Sequence, residues 1–179
     1  MEGHSDNAAP AMLGGLVVST LIDGKIFAHK LPIAPIQVTV VLPDFHFPTQ
    51  EARNTLPKEV SMQDAVYNIS HAVMVTDAFR TGDLSLLGEA MRDVLHQPYR
   101  LPLVPGAKGA LDAMKTEGAA AVALSGAGPS LIAFSQMESN IPQADAIGLA
   151  GKRAFEQVGL STRIFQLGVS SRGAEVHIL

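Results

Sequence analysis

The sequence predicts an α+β fold. Three observations predict it: β-prone runs at both ends of the chain, a middle stretch whose apolar residues recur at helical spacing, and a hairpin signal, Asp23-Gly24, between the first two extended runs. Strands that frame several helices, with no internal repeat between them, point to an α+β domain.

Taken in order, residues 14–20 (GGLVVST) are rich in β-branched residues and precede Asp23-Gly24 and a second run over 25–31. Glycine accepts the positive φ that a tight hairpin turn demands. A third strand, IQVTVVL over 36–42, is set off by Pro32, Pro35 and Pro43, and the first two of these prolines mark a domain seam. Val66, Ile69, Val73 and Phe79 then predict an amphipathic helix over 63–80, stopped at Gly82. Leu84, Leu87, Met91 and Leu95 predict the next helix, with Asp83 as its N-cap. A third helix runs from about Pro105 to Glu117 with Gly118 as its stop. Strands at 121–124 and 130–134 flank the turn Ser125-Gly126-Ala127-Gly128-Pro129, a last helix covers 142–158, and two short strands close the chain at 162–167 and 174–178. Met12, Met62, Met74, Met91 and Met114 fall at or near helical apolar positions and read as core filler.

Composition narrows the function. Of 179 residues, 47% are apolar and 17% charged, enough for a sizeable core. The net charge is -4 and the 13 basic residues are scattered, so no basic face for nucleic acid is visible. There are no cysteines, which excludes a disulfide scaffold and thiolate chemistry. No apolar run reaches the ~20 residues that span a bilayer, and the polar opening lacks a signal-peptide layout. The expectation is a cytoplasmic protein with no nucleic-acid or membrane partner; a homodimer is left open.

Three segments carry possible chemistry. His4, Asp6 and Asn7 place an imidazole, a carboxylate and a carboxamide within four positions, a set that could grip a polar substrate or equally begin and cap a helix. The turn at 125–130 offers successive backbone amides to an anion, or is an ordinary turn between strands. It is neither a Walker loop nor a dinucleotide fingerprint. Arg53, on a short helix after the third strand, and Arg100, just past a helix end, offer forks suited to a carboxylate or phosphate. The remaining histidines show no metal-ligand spacing, and His71, mid-helix, reads as a packing or surface residue.

Together and in order, four stretches resemble the homoserine kinases of the GHMP kinase superfamily: E-G-H-S-D-N-A-A-P-A-M-L-G-G-L, A-R-N-T-L-P, D-V-L-H-Q-P-Y-R-L-P-L-V-P-G and A-L-S-G-A-G-P-S-L-I-A-F. The family usually has proline where Ser5 stands. The resemblance implies transfer of the ATP γ-phosphate to the side-chain hydroxyl of L-homoserine, with ATP and Mg2+ as the complete enzyme's cofactors. Carried over by position, His4 and Asp6 would contact the substrate, Asp6 pairing with its ammonium. Arg53 and Arg100 would hold its carboxylate, and Asn7 would sit near the hydroxyl or phosphate. Gly126, Ala127 and Gly128, with Ser130 beside them, would support the phosphate loop. No residue stands out as a general base.

The same resemblance implies what this sequence lacks. The family's Pro-x-x-x-Gly-Leu-Gly-Ser-Ser-Ala phosphate loop and its magnesium-binding glutamate have no counterpart, so no metal site is assigned. Residues 1–35 are then expected to be the tail of the ATP-binding domain, and 36–179 the GHMP carboxyl-terminal domain, an antiparallel sheet backed by helices. The chain alone is expected to show no kinase activity. Two other readings remain: a different GHMP small-molecule kinase, such as one for mevalonate, or a non-catalytic amino-acid-binding remnant.

Overall fold

The computed structural model describes residues 5–46, 48, 54–137 and 142–176. Along these run α1 (Ala8–Leu13), β1 (Leu16–Ile22), β2 (Lys25–Leu31), β3 (Ile36–Pro43), α2 (Met62–Thr81), α3 (Leu84–Ala90), α4 (Gln97–Arg100) with a 3-10 turn at Leu101–Leu103, α5 (Ala107–Thr116), β4 (Ala121–Leu124), β5 (Leu131–Gln136), α6 (Pro142–Glu156) and β6 (Thr162–Gly168). Strands β1 and β2 form an antiparallel hairpin of their own. Its turn residues have φ of 49° at Asp23 and 75° at Gly24, as the Asp-Gly signal requires.

The other strands form a four-stranded antiparallel sheet in the order β4-β5-β3-β6. Alternation along β3 divides its side chains between two cores. Ile36 and Val38 face Ala78 of α2 and Leu87 of α3, with Phe79 edge-on to Phe134 at 4.9 Å between centroids. Val41 faces the opposite way, into Ala110 and Met114 of α5 and Ile147 and Phe155 of α6. Helices therefore cover both faces of the sheet. The α6 face is glycine-lined for close approach: a Cβ on Gly151 would lie 2.8 Å from the Met114 sulfur, and one on Gly148 2.7 Å from Ile164.

Helix ends follow their local chemistry. Ser61 caps α2 by accepting from the Asp64 amide at 3.0 Å, and Gly82 ends it in the left-handed region at φ 78°. Asp83 caps α3 by accepting from the Leu86 amide at 2.9 Å.

Four expectations need correction. The apolar face read for α2 is not its packed face: Val66, Ile69 and Val73 are 57%, 66% and 64% exposed. Only the carboxyl-terminal part of α2 overlies the sheet, through Val75, Ala78 and Phe79. Met12, Met62 and Met74 are exposed and Met114 alone of the five named is fully buried. Helix α3 stops at Ala90, short of Leu95: the Val94 amide goes to Asn68 and those of Leu95, His96 and Gln97 to the Asp93 carboxylate (below). At the chain end, the described part of the predicted strand at 174–178 is not a strand. The Ala174 amide instead donates to the Ala11 carbonyl at 3.0 Å, and Gly173 lies against Met12, which pins this segment to α1.

Candidate functional site

A cleft of about 940 Å³ opens between α1, α2, the segment from α3 to α4, and the turn between β4 and β5. Six of the residues singled out from the sequence line it: Asp6, Asn7, Arg100, Gly126, Ala127 and Gly128. His4 and Arg53 lie outside the described residues. Ser130 does not line the cleft; its carbonyl accepts from the Ser125 amide at 2.8 Å and closes the base of the turn.

Asn7 occupies the N-cap position of α1, yet its side chain makes no capping hydrogen bond, and Asp6 before it is exposed. The carboxylate and carboxamide thus stand at the cleft instead of serving the helix. The chain beneath them is anchored at Ser5, which is buried and donates from its hydroxyl to Ser19 at 2.8 Å. A serine here keeps its buried oxygen satisfied through β1.

The opposite wall is the glycine turn. Gly126 and Gly128 have φ of 60° and 88°, a region that side chains disfavour. The Gly128 amide donates to the Ser125 carbonyl at 3.1 Å. Among the described residues the amides of Gly126 and Ala127 have no partner, so two consecutive donors remain for an anion.

Helix α2 adds residues that the sequence reading did not assign. His71 lines the cleft and stacks on Tyr67 with ring centroids 3.8 Å apart. Its Nδ1 lies 2.8 Å from the Tyr67 carbonyl, which can only accept, so Nδ1 carries the proton of that bond. Asn68, one turn earlier, shares that face. Two polar residues at i and i+3 in a mostly apolar helix were the available signal.

Arg100 is the last residue of the α4 turn, not a residue beyond a helix end. That turn is capped from a distance by Asp93, whose carboxylate accepts from the amides of Leu95, His96 and Gln97 at 2.9, 2.9 and 2.5 Å and from the Asn68 carboxamide at 2.7 Å. Burial acts first and opposes ionisation. The Gln97 amide, the Asn68 carboxamide and the amides of Leu95 and His96 more than offset it and hold the carboxyl below the ordinary carboxylate value.

The arrangement is thus a carboxyl side chain, a guanidinium and a glycine turn lining one cleft on a sheet with helices on both faces. Residues 75–150 match the family model for the GHMP kinases C terminal domain. Homoserine kinases are among its similar proteins both by sequence and by structure. The homoserine kinase of Moorella thermoacetica is 42% identical over 177 residues, covering 98% of this chain and 58% of the relative. That of Deinococcus radiodurans is 46% identical over 136 residues, covering 74% and 44%. The crystal structure of homoserine kinase from Cytophaga hutchinsonii superposes with a TM-score of 0.88 at 30% identity, covering 95% of this chain and 53% of that one. The chain therefore spans about half the length of these relatives, from 44% to 58%.

Proposed function

We propose that this chain is the carboxyl-terminal part of a cytoplasmic homoserine kinase, acting in phosphotransfer from ATP to the side-chain hydroxyl of L-homoserine on the route to threonine. The observation that carries the reading is that Asp6, Arg100 and the glycine turn line one cleft. An α-amino acid presents an ammonium and a carboxylate. Asp6 suits the first and Arg100 the second as a two-pronged donor. Mevalonate has no ammonium for Asp6 to pair with, which favours homoserine over it.

In the proposed reaction the homoserine oxygen bonds to the γ-phosphorus, the bond from phosphorus to the leaving ADP oxygen breaks, and the hydroxyl proton passes to a phosphate oxygen or to solvent. The residues of this chain contribute positioning and charge. Asp6 and Arg100 orient the substrate. Asn7 stands near the reacting hydroxyl, and the amides of Gly126 and Ala127 face the transferred group. His4 and Arg53 join the substrate contacts on the strength of the motif alone. Among the described residues no group of three or more His, Asp or Glu could hold a metal ion. Mg2+ would enter with the phosphates of ATP. No helix among the described residues is long and apolar enough to cross a membrane.

The test joins this chain to the amino-terminal portion of the Moorella relative that it does not match, and measures ADP release with homoserine and with mevalonate. Homoserine is expected as the preferred substrate, and the 179 residues alone are expected to be inactive. Arg100→Ala is expected to raise the homoserine KM by about tenfold or more with kcat less affected, since a uniform binding contact is lost. Equal or better turnover of mevalonate would defeat the substrate assignment, and an unchanged KM would remove Arg100 from the site.

A further inference from the structure

Helix α4 is a single turn of four residues, far too short to hold itself together. Its own N-cap residue, His96, makes no side-chain capping bond. Something outside the turn must fix it, and with it Arg100. The contacts show what does. Three consecutive amides at the start of the turn converge on the two oxygens of Asp93. The Asn68 carboxamide locks that carboxylate from α2 and uses its own oxygen to accept from the Val94 amide at 3.1 Å.

The same turn reaches the far wall of the cleft. Gln97 accepts through Oε1 from the Leu124 amide at 3.0 Å. Leu124 ends β4, which lies at the edge of its sheet, so this amide has no strand neighbour to pair with on that side. The next residue, Ser125, opens the glycine turn. One chain of hydrogen bonds therefore runs from α2 through Asp93 and Gln97 to the strand end that launches the anion nest. Every buried side-chain nitrogen and oxygen among the described residues has a partner, so the chain has no loose link.

We propose that Asp93 is a positioning residue: held by Asn68, it fixes the turn that carries Arg100 and, through Gln97, the strand end before Gly126, so that the carboxylate-holding and phosphate-facing walls of the cleft are set as one piece. This rests on the reading of Arg100 and the glycine turn as the two substrate-facing walls. Asp93 itself needs no contact with substrate.

The experiment has two readouts. The first is amide hydrogen exchange on the 179-residue chain. Asp93→Asn keeps the shape but turns an acceptor into a donor facing amide donors. It is expected to raise exchange at residues 95–97 and also at Leu124 and Ser125, whose amides are hydrogen-bonded at the strand end and the base of the glycine turn, leaving β3 and α6 as protected as before. Gln97→Leu is expected to raise exchange at Leu124 and Ser125 alone. The second readout is kinetic, in the joined protein described above. There Asp93→Asn is expected to raise the homoserine KM by about tenfold, and to add less than about twofold once Arg100 is already Ala, because residues acting through one another are not additive.

Loosening confined to residues 95–97 would overturn the link to the glycine turn. Multiplying effects of Asp93→Asn and Arg100→Ala would overturn action through Arg100. If the unmutated joined protein phosphorylates no homoserine, the kinase reading falls, while the exchange pattern still decides whether Asp93 ties the two walls. If Asp93→Asn does not fold, Gln97→Leu, which leaves the Asp93 cap intact, carries the same decision at Leu124.

Discussion

The hairpin β1–β2 and the four-stranded sheet are built from the same kinds of residue, yet they differ in what covers them. In β3, Ile36 and Val41 are 1% and 0% exposed, between helices on both sides. In the hairpin, Leu21, Ile22, Ile26 and Phe27 are all more than half exposed. β-branched and aromatic residues declare a strand in either case, because that preference is local. Burial depends on a second layer, and among the described residues the hairpin has little of one. What holds the hairpin is its turn, its own ladder, and polar links at its base: the Gly15 amide to the Ser170 carbonyl at 2.7 Å, and Lys30 Nζ to the carbonyls of Leu13 and Ser171.

The contrast makes a ranking of stability effects. The largest is expected at Phe155, fully buried between α6 and the sheet. Phe155→Ala should cost about 3–5 kcal/mol, the usual range for emptying a buried aromatic site. Denaturant unfolding followed by circular dichroism measures it. A loss below about 1 kcal/mol would mean that the core around α6 is no better packed than the hairpin.

Asp93→Asn comes next, at about 1–3 kcal/mol near neutral pH, since several donors lose a charged acceptor together. Its sign with pH is fixed by the lowered carboxyl value. A depressed folded-state value means that the stabilisation is complete above the unfolded-state value of about 3.9, and is lost as pH falls through the lower folded-state value. The stability gap between the unmutated chain and Asp93→Asn should therefore be constant from pH 7 to about pH 5 and close below about pH 4. A gap that widens on acidification would contradict the assigned direction.

How much was legible from the sequence depended on range. Asp23-Gly24, Asp83 and Gly82 act on their immediate neighbours, and each did what its local chemistry implied. The helix at 63–80 was found, but its packed side was not. Val66, Ile69 and Val73 satisfy helical spacing, and nothing in that spacing says that the sheet ends before it reaches them. At the cleft, Asp6, Asn7 and Arg100 stood out as chemistry-bearing residues within recognisable stretches. Asn68 and Gln97 act on partners far along the chain, such as the 27-residue step from Gln97 to Leu124, and no short-range pattern encodes that. Asp93 was half legible: an acidic residue a few places ahead of Gln97-Pro98 is a capping signature, but the α3 periodicity running on to Leu95 masked it.

Two small effects sharpen the comparison further. Ser5→Ala should cost about 1 kcal/mol, because Ser5 is buried and its one side-chain bond, to Ser19, ties the cleft-side start of α1 to the hairpin. The smallest effect is expected at the hairpin's outer surface. Phe27 is 54% exposed and Ile26 62%, so Phe27→Ser should change the stability of this chain by no more than about 0.5 kcal/mol, while the lost apolar surface raises its solubility. The measurement is the same denaturant unfolding, paired with the concentration at which the chain begins to associate. If Phe27→Ser instead cost as much as Phe155→Ala, the hairpin would be covered in solution, and the difference between the two sheets would be one of partner and not of packing.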